Sequence, residues 1–178
     1  VVIVWVAMVT LTGLGGDYPL NDDWAYAHSA RLFLHTGRMR ILDWAAPSLI
    51  AHVAFGAGLM RIFGESHVVL RCGTVTLGLV ALLVTYVLSR RAGLLPRRAL
   101  LPPLALAVSP WFCNLALTYM SDVPWLAVLL SALALCATAL RPALPPRLAP
   151  LFFAGVLIGV AALIRQFAVV TLPAFVLV

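Results

Sequence analysis

The sequence predicts an all-α membrane protein: a polytopic transmembrane helix bundle with an outer loop that contains interfacial amphipathic helices. The mean hydropathy is +1.07 and only 10% of the residues are charged, whereas soluble domains carry about 25% charged residues. Several apolar runs approach the ~20 residues that a helix needs to cross a bilayer. Continuous apolar runs are typical of spanning helices, because strands of a membrane barrel alternate apolar and polar residues.

The apolar runs place a single transmembrane domain over residues 1–178. The chain begins in a short apolar run, residues 1–14, and closes in another, residues 166–178; each is read as a partial span. The first run has no charged n-region and no cleavage site, which argues against a signal peptide. Because both runs are short for spans, we expect the domain to be part of a longer membrane module. Four runs between the ends are long enough for complete or nearly complete spans: residues 68–88, 99–119, 123–140 and 148–164.

Two of these regions have distinctive features. Pro102, Pro103 and Pro110 should kink the span at 99–119, since each proline removes a backbone donor. Residues 15–67 form a long loop. Within it, residues 47–63 are apolar but interrupted by a histidine and an arginine, a pattern that favours an amphipathic helix at the membrane interface.

Arginine placement predicts the orientation. Two loops between spans carry arginine and no acid: Arg90, Arg91, Arg97 and Arg98 in one, Arg141 and Arg147 in the other. Short basic loops stay on the cytoplasmic side, which puts residues 15–67 on the outer side. We therefore expect a multi-pass cell-membrane protein whose site faces the periplasmic or exoplasmic side. The net charge of +6 reflects this topology, so nucleic acid is not an expected partner.

Carboxylates collect on the predicted outer side. Of the six acidic residues, all but Asp122 lie between Asp17 and Glu65, and Asp122 lies in an outer turn. Arg165 interrupts the apolar sequence at a third outer position. A carboxylate can accept a proton from an attacking hydroxyl or hold a divalent cation, and an arginine can grip phosphate oxygens. These groups are what a transfer reaction from a lipid-linked phosphate needs.

Each candidate also has a structural explanation. Asp22 and Asp23 follow Asn21 at a predicted helix start, where carboxylates cap free N–H groups and favour the positive end of the dipole. Asp122 precedes Val123-Pro124 and is likewise a capping candidate. Arg165 could extend its guanidinium to the membrane interface.

Other polar residues suggest supporting roles. His28, Arg31 and His35 share one helical stripe, but the two histidines lie roughly 10 Å apart along the axis, too far to bind one ion together. Arg71, near an outer helix end, is interpreted as a structural or interface arginine. The cysteines are odd in number and sit in apolar surroundings, which does not indicate a disulfide framework: Cys72, Cys113 and Cys136.

The segment DDWAYAHSARLFLHTG, residues 22–37, resembles the first outer loop of the GT-C glycosyltransferases. The resemblance is closest to the branch of the protein O-mannosyltransferases and the lipid A aminoarabinose transferase. The residues that carry it are the acidic pair Asp22 and Asp23, the aromatic Tyr26, Arg31 and Gly37.

Later segments are similar to the same family. The stretch from proline to paired basic residues matches at Pro47, Phe63, Gly64, Arg71, Tyr86, Arg90 and Arg91. The turn TYMSDVPW resembles the second acidic turn of the family, with Asp122 as its acid, and LIRQ resembles the segment that carries a basic residue, here Arg165. Two departures stand out: Asp23 replaces the commoner Glu, and the chain contains no lysine.

The resemblance implies an integral-membrane glycosyltransferase that moves a sugar, with inversion, from a polyprenyl-phosphate donor to a glycan, lipid or protein acceptor at the outer face. It implies catalytic roles for Asp22, Asp23 and Asp122. The donor phosphate would be bound by Arg165, with Arg31, Arg38 and Arg40 as competitors. A divalent metal, Mg²⁺ or Mn²⁺, is a candidate cofactor, with Asp22 and Asp122 as its ligands.

The partners implied are a lipid-linked sugar donor, an acceptor and the surrounding membrane lipids. By itself the 178-residue chain is expected to be inactive. A polytopic transporter or flippase, and an inactive structural relative, are the alternatives. Transporters place their sites near the bilayer midplane, whereas the acids here gather at one face.

Overall fold

A computed structural model of the chain describes residues 1–43, 48–140 and 147–171. Within these ranges the regular structure is entirely helical, and the predicted fold class, an all-α membrane protein, is confirmed. The α-helices are α1 (Val2–Thr12), α2 (Asp23–Thr36), α3 (Ile50–Phe63), α4 (His67–Arg91), α5 (Leu101–Ala107), α6 (Pro110–Ala116), α7 (Asp122–Ala139) and α8 (Leu148–Ile164). Two short 3₁₀ helices, Arg98–Leu100 and Gln166–Thr171, precede α5 and follow α8.

Some sequence predictions fall outside the described residues. Pro47, which carries part of the family resemblance, and Arg141, which supports the predicted orientation, lie in the two gaps. The last part of the run at 166–178 lies beyond residue 171.

Two helices of the described chain are long and apolar enough to cross a membrane, α4 with 25 residues and α7 with 18 residues. A third span exists if α5, with the 3₁₀ turn before it, and α6 count as one broken helix, bent by 62°. The bend occurs before Pro110, which cannot donate to the preceding turn and holds Ser109 in extended backbone with ψ 122. With 17 residues, α8 is apolar but one residue shorter than α7.

Small residues bring the long helices together. The most extensive packing is of α7 against α8 and α4. The buried residues on the facing sides include Ala127 and Ala132 of α7 and Ala154 and Ala161 of α8. Small side chains allow close approach of helix backbones where lipid supplies no hydrophobic driving force. This packing fixes the start of α7 beside the end of α8.

The predicted loop at residues 15–67 contains two helices that pack on each other, α2 and α3. One side of α3 is buried through His52, Val53 and Met60, while Phe63 at its end is 68% exposed. Gly56 lies where α3 crosses Tyr119, and a Cβ there would come within 2.0 Å of the Tyr119 oxygen. The absence of a side chain at Gly56 therefore lets α3 contact the turn before α7.

Candidate active site

The acidic pair at the start of α2 divides into an exposed and a buried carboxylate. Asn21 adopts the left-handed conformation, φ 58, and Asp22 occupies the N-cap position of α2. The Asp22 side chain is exposed and makes no capping hydrogen bond. Asp23 is fully buried. The structure thus separates two residues that the sequence presents as a pair, and leaves Asp22 as the accessible one.

Asp23 connects three segments of the chain. Its Oδ1 accepts a hydrogen bond from the Leu20 N–H at 2.7 Å, and its Oδ2 accepts one from the Tyr119 N–H at 3.3 Å. The Arg71 Nε lies 3.9 Å from Oδ2. Burial raises the pKa of Asp23, while the two N–H groups and Arg71 oppose the rise. These contacts identify Asp23 as an internal anchor between α2, α4 and the turn before α7.

Arg71, on α4, holds the loop that leads into α2. Its guanidinium is fully buried and donates from Nη1 to the Leu14 and Gly16 carbonyl oxygens at 2.7 Å and 2.9 Å. It also donates from Nη2 to the Tyr18 carbonyl oxygen. The sequence indicates a structural arginine here, but it does not reveal that Arg71 fixes the backbone before Asp22.

The Asp23–Tyr119 hydrogen bond brings the start of α2 to the start of α7. Tyr119 precedes Asp122 by three residues, so the bond places Asp22 and Asp122 at one end of the bundle. Asp122 pairs there with Arg165, the residue that follows α8: the Arg165 Nη1 donates to the Asp122 Oδ1. Within the described residues, the two side chains pair with each other and neither makes a helix-capping hydrogen bond.

Tyr26 lies at the centre of this group. The side chain is 4% exposed, and the charges of Arg165, Asp122 and Asp22 act on its phenol. Burial raises the pKa of Tyr26. The buried phenol therefore feels the charges of groups from α2, α7 and the end of α8. We call Asp22, Tyr26, Asp122 and Arg165 the outer-end cluster, after the orientation that the arginine placement predicts.

A buried aromatic stack supports the cluster and was missed by the sequence analysis. The rings of His52 and Tyr119 stack with centroids 4.2 Å apart, and Tyr26 meets His52 edge-on at 5.8 Å. The Tyr119 hydroxyl donates to the His52 carbonyl oxygen at 2.6 Å. His52 also lines a cavity of about 140 Å³ together with Pro124 and Ile164, neighbours of the cluster. In the sequence, the indication of this stack was His52, a histidine inside an otherwise apolar helix.

We expect the stability of this end of the protein to fall below neutral pH because of His52. Burial lowers the pKa of His52 to about 4 from 6.5. As the pH falls, His52 of the unfolded chain is protonated near pH 6.5, whereas His52 of the folded protein stays neutral down to about pH 4. The free energy of unfolding is therefore unaffected by this group above pH 6.5 and decreases between pH 6.5 and pH 4. The decrease in the free energy of unfolding is about 3 kcal/mol.

Thermal unfolding of the native protein in detergent at several pH values measures this decrease. A His52→Phe variant should show a flatter pH dependence, and an unchanged slope in that variant would refute the assignment.

The remaining predicted arginines do not join the outer-end cluster. The Arg31 Nε lies 3.8 Å from a Glu65 carboxylate oxygen, and the His35 Nε2 lies 2.8 Å from the other. Arg38 and Arg40 are exposed beyond the end of α2, which has 14 residues and is therefore about 20 Å long. The structure therefore places Arg38 and Arg40 at the other end of α2 from Asp22.

The outer-end cluster has few side chains that could bind a metal ion. The described parts of the chain hold no group of three or more His, Cys, Asp or Glu side chains that could bind one. Asp22 and Asp122 are the two carboxylates at the cluster, and Arg165 already occupies Asp122. Because Mg²⁺ is often held by one or two carboxylates with substrate phosphates, such an ion would have to compete with Arg165.

The sequence profile described as dolichyl-phosphate-mannose-protein mannosyltransferase matches residues 46–178. The chain belongs to this family. It is therefore a membrane glycosyltransferase of the GT-C type, related to the mannosyltransferases. No curated protein matches the chain, and no solved structure does.

The mannosyltransferase match covers part of the candidate site. Asp122 and Arg165 lie inside the matched residues 46–178, whereas Asp22 and Asp23 precede them. The family implies a lipid-linked sugar donor and an acceptor substrate, and it supports a transferase over a transporter or flippase. The contacts of Asp23 with Tyr119 and Arg71 join the preceding acidic pair to the matched part of the chain.

Proposed function

We propose that this protein transfers a sugar from a polyprenyl-phosphate donor to an acceptor hydroxyl at the outer membrane face, with inversion at the anomeric carbon. The observation that carries the proposal is the outer-end cluster, in which the exposed Asp22 carboxylate and the Asp122–Arg165 ion pair are brought to one end of the bundle by the Asp23–Tyr119 hydrogen bond. Such a cluster offers both a base and a phosphate-binding group, the two components that direct displacement requires.

Arg165 is the proposed ligand of the donor phosphate. One of its nitrogens donates to Asp122, and a guanidinium has further N–H groups in a planar fork that matches phosphate oxygens. The side chain is 24% exposed, so a ligand can reach it. Asp122 then orients the guanidinium, and the positive charge stabilises the departing phosphate.

Asp22 is the proposed general base. Its carboxylate is exposed and accepts no hydrogen bond from the described residues, which leaves it free to accept a proton. The acceptor oxygen forms a bond to the anomeric carbon as the bond from that carbon to the phosphate oxygen breaks. The hydroxyl proton passes to Asp22, and the leaving group departs as polyprenyl phosphate. The anchor residue Asp23 holds Asp22 in place without contacting substrate.

A divalent metal ion remains a candidate cofactor, with Asp22 and Asp122 as its protein ligands. Such an ion would supply charge stabilisation at the phosphate. Because Arg165 already pairs with Asp122, we assign stabilisation of the phosphate charge to Arg165 and proton transfer to Asp22, with no metal ion in either step. Treatment with EDTA should then leave transfer intact, and activity restored only by added Mg²⁺ or Mn²⁺ would assign the ion a role.

Replacement of Arg165 tests the proposal. We expect Arg165→Gln to raise the KM for a radiolabelled polyprenyl-phosphate sugar and to lower kcat, a combined loss of about 10²-fold or more. Arg165→Lys should recover part of the loss, since it restores the charge without the planar fork. The matched control is Arg97→Gln, an exposed arginine beyond the far end of α4.

Two results would contradict this assignment. A normal donor KM in Arg165→Gln would remove Arg165 from the site. A larger rise in the donor KM for Arg31→Gln, Arg38→Gln or Arg40→Gln would move the phosphate to the other end of α2. If no donor supports transfer by the native protein, the inactive-relative alternative stands instead.

A further inference from the structure

A pocket with a volume of about 350 Å³ lies between the end of α1 and α6. Its lining combines residues from the end of α1, from the loop before α2, and from α6 and the turn that follows it. The lining residues include Thr12, Gly13, Gly15, Leu20, Asn114 and Thr118. Both α1 and α6 end on the predicted outer side, so the pocket lies at the same end of the bundle as the outer-end cluster.

Hydrogen bonds connect the wall of this pocket to the acidic pair. The Leu20 N–H donates to the Asp23 Oδ1 at 2.7 Å. Tyr119, the residue after Thr118, donates from its N–H to the Asp23 Oδ2 at 3.3 Å. Asp22 follows Leu20 by two residues, a chain length of at most about 7 Å. A ligand that extends beyond Leu20 therefore comes within reach of the carboxylate proposed as the general base.

The pocket and the proposed phosphate ligand belong to different parts of the bundle. The helix α1 packs against α4 and α5, whereas α8, which Arg165 follows, packs against α7 and α3. An acceptor in the pocket would approach Asp22 from the side of α1, and the donor phosphate would lie on the side of α8. Direct displacement requires such a separation, because the attacking oxygen and the leaving phosphate are on opposite sides of the anomeric carbon.

The lining carries hydrogen-bonding groups that have no partner within the described residues. The Asn114 side chain is exposed, and its amide forms no hydrogen bond there. The guanidinium of Arg71 binds the Leu14 and Gly16 carbonyl oxygens and leaves the N–H and C=O of Gly15 unpaired. An amide side chain and a peptide unit each offer a donor and an acceptor. These groups match the N–H and C=O of another peptide unit.

The shape and charge of the pocket favour an extended, uncharged segment. Gly13 and Gly15 both have positive φ, 75 and 69, and a Cβ at Gly13 would meet only the Gly15 nitrogen, at 4.0 Å. Glycine lets the backbone of a ligand approach closely, and main-chain pairing is a common way to hold extended peptides. Among the described residues no charged side chain lines the pocket, so an anionic lipid or a phosphorylated glycan would have no counter-charge there.

We propose that this pocket binds the acceptor as an extended peptide segment. The main chain of the segment pairs with Gly15 and the Asn114 amide, and its hydroxyl side chain extends past Leu20 to Asp22. This inference rests on the sugar transfer proposed above, to which it adds the acceptor site. In that reaction the hydroxyl oxygen of the peptide bonds to the anomeric carbon, its proton passes to Asp22, and polyprenyl phosphate leaves.

Photo-crosslinking of the native protein in nanodiscs tests the site without requiring turnover. The probe is a blocked peptide of serine, alanine and glycine that carries one benzoylphenylalanine. We expect its crosslinks, mapped by mass spectrometry, to fall within residues 12–20 and 110–118. Thr12→Phe fills the pocket and should lower the crosslinking yield by about tenfold or more. The matched control, Thr10→Phe, changes another exposed threonine of α1 outside the pocket lining and should retain the yield.

Replacement of Asn114 separates acceptor binding from donor binding. Asn114→Leu removes the amide at nearly constant size and should raise the KM for the acceptor peptide about tenfold. The KM for the polyprenyl-phosphate sugar should stay unchanged. Asn114→Gln, which keeps the amide, should recover part of the loss. Because Asn114 is exposed, neither change should disturb the fold.

Three outcomes would overturn the acceptor site. Crosslinks that map outside both ranges would place the peptide elsewhere. Equal yields from Thr12→Phe and Thr10→Phe would show that the peptide does not occupy the pocket. A higher yield from an oligosaccharide with the same benzophenone group would assign the pocket to a glycan. Crosslinks inside the pocket without any sugar transfer by the native protein would instead overturn the proposed reaction and leave the peptide site standing.

Discussion

Asp22→Asn is expected to lower sugar transfer by about 10²- to 10⁴-fold, the contribution typical of a positioned general base. The amide keeps the size of the side chain but cannot accept the hydroxyl proton. The fold should persist, since the Asp22 side chain makes no capping hydrogen bond and is exposed. The measurement is transfer of a radiolabelled sugar from a polyprenyl-phosphate donor by the native protein in membranes.

The control for this substitution is Asp43→Asn, which removes another exposed carboxylate from the same loop. It should leave transfer close to normal. If Asp22→Asn and Asp43→Asn transfer sugar equally well, Asp22 is not the base, and its role at the start of α2 is limited to the favourable dipole interaction. If both fold but lose transfer, the loop as a whole rather than Asp22 is required.

Arg71→Ala is expected to be the most destabilising single substitution, at about 3–5 kcal/mol. It would leave the buried Asp23 carboxylate without its counter-charge and remove the donors to the Leu14, Gly16 and Tyr18 carbonyl oxygens. Thermal unfolding in detergent measures the loss. Since Arg71 fixes the backbone before Asp22, any folded fraction should also transfer sugar poorly.

A second substitution separates the charge effect from the lost packing. Adding Asp23→Asn to Arg71→Ala should recover part of the stability, because no unpaired buried charge then remains. Arg61→Ala, which removes an exposed arginine at the end of α3, is the control and should change stability little. If Arg71→Ala is no more destabilising than Arg61→Ala, the buried network does not hold the loop.

The helices were accessible from the sequence because apolar length and proline position determine them locally. The run at 68–88 lies within α4, and the bend before Pro110 divides the run at 99–119 into α5 and α6. The run at 148–164 coincides with α8. Whether each helix crosses the bilayer, and in which direction, stays a prediction from hydropathy and arginine placement.

The contacts between residues far apart in the sequence could not be predicted from it. Asp22 and Asp23 are chemically identical neighbours, and only the packing of α2 against the turn at Tyr119 decides which one is buried. The ion pair between Asp122 and Arg165 joins the start of α7 to the end of α8. The family resemblance made Arg31 a competing phosphate ligand, but Glu65, between α3 and α4, lies 3.8 Å from the Arg31 Nε.

The most direct test of the proposed site is the position of the donor phosphate in the native protein. We would determine its structure by cryo-electron microscopy in nanodiscs, with a polyprenyl phosphate bound. Density for the phosphate against the Arg165 guanidinium, with the Asp22 carboxylate facing the open side of the cluster, is the expected result. Density for it at Arg38 and Arg40, at the far end of α2, would contradict the assignment of both Asp22 and Arg165.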